Sequence, residues 1–174
     1  PWFLDRKLSL GVDLYQRDRR FLSDEYDQVN TGGSVTLGKP LSGFDRLNLT
    51  LGIERIEVSD VDEDASDLIK AEEGVQDKHY VGLELLHDSR NNAFVASRGN
   101  RTSLSGTISG GPLSGDVEVY ALEANTSHYV PLWWDHVLNL RGWASVVETW
   151  GDGVRVPIFD RLFLGGARTL RGFD

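Results

Sequence analysis

The residues that could support acid–base chemistry in this chain are its four histidines, His79, His87, His128 and His136. His87 is followed directly by Asp88, and neighbouring side chains in a strand point to opposite faces, so the two are not arranged as a catalytic pair. A hydrolase of the α/β type would need a nucleophile elbow of the form G-x-S-x-G, which is absent from the sequence. We therefore predict no catalytic residue and a protein that is not an enzyme.

A second candidate for chemistry is an acidic stretch from Glu57 to Asp77, where nine acidic residues stand against one lysine. Asp60, Asp62 and Asp64 have the alternate spacing of a calcium-binding loop. The glycine and the terminal glutamate of an EF-hand are not in their places, however. We interpret the stretch as a solvated loop and predict no metal site, with calcium binding as the alternative.

The most distinctive pattern is in the tail, residues 163–174, which reads FLGGARTLRGFD. Gly165 and Gly166 allow the backbone to turn sharply. Further along come an apolar residue, an arginine, a glycine and an aromatic residue, which are Leu170, Arg171, Gly172 and Phe173. Because nothing upstream resembles a catalytic centre, we predict that the rest of the chain forms successive strands before this segment.

Composition excludes several classes of function. The net charge of -9 leaves no basic stripe to neutralise phosphates, so we predict no nucleic-acid partner. The chain has no cysteine, and therefore no disulfide framework and no thiolate metal site. It also lacks a phosphate-binding loop and a dinucleotide fingerprint, so no cofactor is predicted. No apolar run reaches about 18 residues, but a membrane barrel strand needs only about 9–11 alternating ones.

Alternation with a period of two residues dominates the chain and predicts seven strands. The clearest strand has Leu47, Leu49, Leu51 and Ile53 on one face and polar residues on the other. The predicted strands are residues 7–15, 33–39, 46–58, 78–87, 101–110, 118–130 and 136–149, followed by a glycine-containing segment over 150–174.

Two features indicate a transmembrane barrel rather than an ordinary sheet. The second face carries Gly, Ser, Thr, Asn, Glu and Arg in mid-strand, which is typical of a water-filled lumen. The connections also alternate in character, with the turns at 40–45, 88–100 and 131–135 on one side and the long polar loops on the other. Trp133 and Trp134 lie on the turn side, where an interfacial aromatic girdle is expected. We predict an all-β, antiparallel up-and-down meander that is part of a transmembrane β-barrel.

Several motifs resemble those of the bacterial outer-membrane protein assembly factor family, BamA and its relatives. The tail resembles the family signature of an aromatic residue, Gly-Gly and a later (Val/Ile/Leu)-Arg-Gly-(Phe/Tyr) step. Asp88-Ser89-Arg90, with Ser97-Arg98-Gly99, resembles the family's periplasmic turn, so Asp88, Arg90 and Gly99 are its candidate residues. Pro1-Trp2-Phe3 and Tyr129-Val130-Pro131 resemble strand-ending steps of the family, and the resemblance runs along essentially the whole chain.

The resemblance implies a sixteen-stranded barrel in which the arginine loop is the sixth outer loop, after the eleventh strand. The seven strands are then expected to be strands five to eleven, with the remaining strands and the periplasmic POTRA domains outside this sequence. Arg171 would fold back into the lumen and pair with an acidic residue on a later strand, which suits a planar guanidinium. Gly172 would let the backbone pass close to the wall, and Phe173 would pack beside it.

The function implied by the resemblance is insertion of other barrel proteins into the bacterial outer membrane without nucleotide hydrolysis. The implied partners are outer-membrane lipid, unfolded outer-membrane proteins and accessory lipoproteins. Three alternatives stay within the family: a two-partner secretion pore, a TamA-type translocation factor and the barrel of a patatin-like lipase fusion. A soluble lipocalin-like barrel that binds a small apolar ligand is the alternative from another class.

Overall fold

The structure is a computed structural model, and it describes residues 7–19, 25–150 and 155–162. Its seven strands are β1 (Ser9–Asp18), β2 (Asp27–Pro40), β3 (Asp45–Ser59), β4 (Gly74–Asp88), β5 (Gly99–Ser109), β6 (Val119–Pro131) and β7 (Val137–Thr149). One short helix, α1 (Asp67–Lys70), lies between β3 and β4, and single 3-10 turns occur at Gly111–Leu113, Trp133–Asp135 and Ile158–Asp160. In the ranges that the structure describes, no helix has the length and apolar character needed to cross a membrane.

The strands form one sheet in the order β1-β2-β3-β4-β5-β6-β7, and every neighbouring pair is antiparallel. This confirms the predicted all-β up-and-down meander. The connections at 41–44, 89–98 and 132–136 lie at one end of the sheet, which we call the turn end. The connections at 60–73 and 110–118, with the segment 155–162, lie at the other end, which we call the loop end.

One face of the sheet is apolar. Leu49 pairs with Leu37 on β2 and with Leu83 on β4, and direct cross-strand partners share a face. These three side chains are between 39% and 50% exposed, and Leu14 on β1 is 86% exposed. An apolar surface of this extent is rare on a soluble monomer, but it is what the lipid-facing side of a barrel wall requires.

The opposite, polar face is held together by cross-strand hydrogen bonds. Asn48 donates to Glu84 at 2.8 Å, and the Thr36 and Thr50 hydroxyls lie 2.9 Å apart. Such pairs satisfy polar groups in mid-sheet, where each contributes roughly 0.2–1 kcal/mol.

Buried apolar side chains are concentrated at the loop end. Ile56 and Val58 are 1% and 2% exposed, although they follow Glu54 on the polar face of β3. The connections and the segment after β7 supply further members of this buried set: Ala65, Val117 and Ile158. Hence the polar face becomes apolar where the loops fold over it.

Some strands extend beyond the range where alternation is visible in the sequence. β2 begins at Asp27, whereas the predicted strand covered 33–39 and a polar loop was expected before it. The added residues include Gln28 and Asn30, which are polar but only 3% and 6% exposed. Gln28 donates to Asn30 at 2.6 Å, and Asn30 donates to Glu54 at 2.8 Å. These hydrogen bonds let a polar sequence continue as a strand. β4 likewise begins at Gly74, inside the acidic stretch that was interpreted as a loop.

Candidate functional site

The predicted turn motif at the turn end is built around an ion pair between Asp88 and Arg90. Arg90 Nε donates to Asp88 Oδ1 at 2.8 Å and Nη2 donates to Oδ2 at 2.7 Å, which is a bidentate pair. The remaining Arg90 nitrogen, Nη1, donates to the carbonyl oxygen of Ala93 at 3.0 Å. The pKa of the Arg90 guanidinium is raised, chiefly by its hydrogen bonds to Asp88. Arg90 therefore joins Asp88, at the end of β4, to the turn that follows it.

Gly99, the third predicted residue of the motif, lies where only glycine fits. Its φ is 96°, a left-handed conformation that L side chains rarely adopt. A Cβ at this position would also overlap the carbonyl oxygen of Ser89. Ser89 closes the turn by donating its backbone N–H to the Asn100 carbonyl at 2.9 Å. The structure thus brings Asp88, Arg90 and Gly99 into one turn.

Two asparagines complete the backbone hydrogen bonding of this turn. The Asn91 side-chain oxygen accepts from the N–H groups of Ser97 and Arg98 at 3.0 and 3.1 Å. The Asn92 side-chain oxygen accepts from Phe94 and Val95 at 2.8 and 3.0 Å. The tip that they hold is apolar, with Phe94 98% exposed. Asparagine commonly stabilises turns in this way, but this apolar tip was not singled out from the sequence.

The polar face near the loop end carries a close backbone–aromatic contact. Tyr80 on β4 is the direct partner of Gly52 on β3, and a Cβ on Gly52 would overlap the Tyr80 ring. Glycine fits this mid-strand position because it leaves room for the aromatic ring to approach the neighbouring backbone closely.

The segment 155–162, at the start of the glycine-containing tail, is attached to this same face. Lys78 on β4 contacts both carboxylate oxygens of Asp160 at 2.5 and 2.7 Å. The two side chains are only 14% and 18% exposed. Ile158 in the same 3-10 turn is 4% exposed. Sequence reasoning missed this pair because its members are 82 residues apart, and the only available signal was a charged residue on a lumen-type face.

The chain just before this segment is also fastened at the loop end. Trp150 follows β7, and its indole Nε1 donates to the carbonyl oxygen of Ser109 at 3.0 Å. The Trp150 N–H donates to the Glu118 carbonyl at 3.4 Å.

The predicted barrel-locking residues of the tail lie outside the described residues. They are Gly165, Gly166, Leu170, Arg171, Gly172 and Phe173. Their role stays a prediction, and the described part of the tail ends at Leu162.

Where the structure describes them, Asp62 of the acidic stretch and two of the histidines make structural contacts. Asp62 accepts from the backbone N–H of Asp64 at 2.8 Å, which stabilises a turn. His79 contacts the Leu113 carbonyl at 3.0 Å, and His87 contacts Asp45 at 2.7 Å. Within the described ranges, no three His, Asp or Glu side chains are grouped so that they could hold a metal ion.

Comparisons with known proteins agree on one family. The sequence model of the Omp85 superfamily domain matches residues 1–174. The outer membrane protein assembly factor BamA of Nitratidesulfovibrio vulgaris is 26% identical over 176 residues, covering 100% of this chain and 22% of that protein. The sorting and assembly machinery component 50 homolog of Xenopus tropicalis is 27% identical over 169 residues, covering 95% of this chain and 35% of that protein.

A solved structure of BamA from Haemophilus ducreyi, lacking POTRA domains 1-3, has a TM-score of 0.84 and 22% identity to this chain. The match covers 99% of this chain and 36% of that one, and at this identity it supports the fold alone. The chain thus spans about a third or less of the length of these relatives. The expected outer-membrane location is confirmed by the family and its BamA members. Because the family match runs over the whole chain and the meander has the fold of BamA, this chain belongs to the Omp85 superfamily.

Proposed function

We propose that this chain is part of the wall of an outer-membrane barrel that folds and inserts other barrel proteins without nucleotide hydrolysis. The observation that carries the proposal is the two-faced meander, apolar on one side and hydrogen-bonded on the other, in a chain that matches assembly factors over its full length. An exposed apolar face suits a lipid partner, and the polar face suits a hydrated lumen.

In this proposal the substrates are unfolded outer-membrane proteins, and accessory lipoproteins attend the periplasmic side. The substrate adds strands to an open edge of the barrel, and main-chain hydrogen bonds provide the templating. Free energy comes from the folding of the substrate itself, since burying apolar strands in lipid and pairing their backbone groups are both favourable. The segment described here supplies wall strands and the platform from which the arginine loop starts.

Within this function, Arg171 is the proposed lock of the loop. A guanidinium that pairs bidentately with a lumen carboxylate fixes both the position and the orientation of a loop. We expect Arg171→Ala in the full-length protein to lower assembly of a reconstituted barrel substrate roughly tenfold, the effect of losing about 1.4 kcal/mol of loop positioning. Folding of the substrate in nucleotide-free liposomes, followed by its heat-modifiable band on a gel, measures this.

Arg168→Ala is the matched control, because it removes an arginine from the same segment but not from the Leu-Arg-Gly-Phe step. We expect this variant to keep most of the activity. Equal losses in both variants would contradict the assignment of the lock to Arg171. A folded full-length protein that does not accelerate substrate folding in nucleotide-free liposomes would contradict the proposed function itself.

A further inference from the structure

The ion pair between Lys78 and Asp160 differs from the other ion pairs of the described residues in both reach and burial. Arg55 and Asp77, a pair on the adjacent strands β3 and β4, have side chains that are 65% and 43% exposed. Arg90 and Asp88 are two residues apart in the chain. The Lys78 and Asp160 side chains are both less than one-fifth exposed, and they join a strand to the segment that follows β7. Their contact therefore constrains the path of the tail.

Lys78 is bonded to Asp160 although two other carboxylates lie near it in the sheet. Glu54 is the cross-strand neighbour of Lys78 on β3, but Glu54 accepts a hydrogen bond from Asn30 at 2.8 Å. Asp77, next in the chain, is held by Arg55 through two hydrogen bonds of 2.9 and 3.1 Å. Because the Lys78–Asp160 pair is largely removed from water, deleting either partner leaves the other as an uncompensated charge.

Buried apolar residues also hold the segment 155–162 beside the ion pair. Ile158 is 4% exposed and Pro157 is buried. Arg161 turns back to donate its Nε to the Val156 carbonyl at 3.0 Å, which closes the segment on itself. Since Ile56 and Val117 are also buried at this end, an ion pair and an apolar plug together hold residues 155–162.

We propose that Lys78 and Asp160 form a latch that fixes the start of the tail on the polar face of β4, independently of Arg171. The latch has a consequence for the lock, which rests on the proposed role of Arg171. In the sequence, Arg171 lies 22 residues after the end of β7 at Thr149 and 11 residues after Asp160, so the latch fixes the chain at a position closer to Arg171.

Limited proteolysis of the full-length protein in lipid tests the latch, because Arg155 and Arg161 are trypsin sites on either side of Asp160. Proteolysis follows the open population when opening is fast relative to cleavage. We expect Lys78→Met and Asp160→Asn each to increase cleavage at Arg161 by roughly tenfold or more, because each strands a buried charge. The exchange Lys78→Asp with Asp160→Lys is expected to restore protection to within about threefold, because it rebuilds the charge pair. Since trypsin also cuts after lysine, cleavage after residues 160 and 161 is counted together for this variant.

Arg55→Met is the matched control, since it breaks an exposed pair between β3 and β4 and is expected to change cleavage less than about twofold. Arg171→Ala is expected to leave cleavage at Arg161 within about threefold if the latch is independent of the lock. Folding of every variant is checked by heat modifiability, and Lys78→Arg, which keeps the cation, is expected to stay protected. Wild-type cleavage in folded Lys78→Met, or release of the segment by Arg171→Ala to the same extent, would overturn the proposal. The readout does not depend on assembly activity, so failure of the latch and failure of the proposed function are distinguishable.

Discussion

The two ends of the sheet are built by different kinds of contact. Within the turn at 88–99, which lies at the turn end, the contacts are local, since Arg90 binds Asp88 two residues away and Asn91 binds Ser97 six residues away. At the loop end they are long-range, since the indole of Trp150 reaches Ser109 across 41 residues, and the Lys78–Asp160 pair spans 82. The turn at 88–99 is therefore specified by a short stretch of sequence, whereas these loop-end contacts require distant strands to be paired.

Burial differs between the ends in the same way. The connection at 89–98 has its backbone hydrogen bonds satisfied by its own side chains and leaves Phe94 almost fully exposed. The loop end buries Ile56, Val58 and Val117 to 1–2% exposure. Hydrogen bonding within the connection therefore shapes the turn at 89–98, while apolar packing shapes the loop end. This difference also predicts that core substitutions disrupt the loop end and that backbone substitutions disrupt the turn end.

The largest expected effect comes from the buried apolar set. Ile56→Ala removes a fully buried side chain and is expected to lower the free energy of unfolding by about 3 kcal/mol, through lost transfer energy and a residual cavity. Denaturant unfolding of the full-length barrel in detergent measures it. Ile53→Ala is the matched control, because Ile53 lies on the apolar face of the same strand and is 62% exposed. Equal losses for the two variants would show that burial at the loop end does not contribute more to stability than the apolar face.

A smaller loss is expected from the backbone of the turn end. Gly99→Ala places a Cβ against the Ser89 carbonyl at a positive φ, and we expect it to destabilise the barrel by about 2 kcal/mol. The midpoint of heat modifiability on a gel reports this loss. Gly43→Ala is the control, since Gly43 lies in another connection of the turn end with no atom within 4 Å of its would-be Cβ. If Gly99→Ala were as mild as Gly43→Ala, the turn would not depend on glycine.

The smallest expected effect has the opposite sign. Ser114, in the 110–118 connection, has φ 63° and ψ -179°, a region that is essentially restricted to glycine. We therefore expect Ser114→Gly to stabilise the barrel by about 0.5–1 kcal/mol, because relief of strain exceeds the entropic cost of glycine. Thermal unfolding against wild type measures the shift. Val117→Gly serves as the opposing control, because that side chain is 1% exposed and its loss should destabilise. No gain in Ser114→Gly would show that the loop relaxes without the substitution.

The alternation of apolar and polar residues made the strands predictable from the sequence. Polar residues at buried positions limited that prediction. The stretch from Leu47 to Ile53 predicts β3, because every second residue is apolar. The beginning of β2 was not recognised, because Gln28 and Asn30 are polar at buried positions and only their hydrogen bonds explain this. The residues of the turn motif were identified from their resemblance to the family's periplasmic turn, and their closeness in sequence lets local hydrogen bonds build the turn.

The strand count, the two chemically distinct faces and the turn at 88–99 follow from the sequence alone, because each depends on neighbours a few residues apart. Only the tertiary structure decided that Ile56 and Val58 are buried, because alternation places them on a polar face until the loops cover them. It alone also decided that Lys78 meets Asp160. No local pattern can encode that contact, since it needs four strands to be paired in register before the segment after β7 can return to β4.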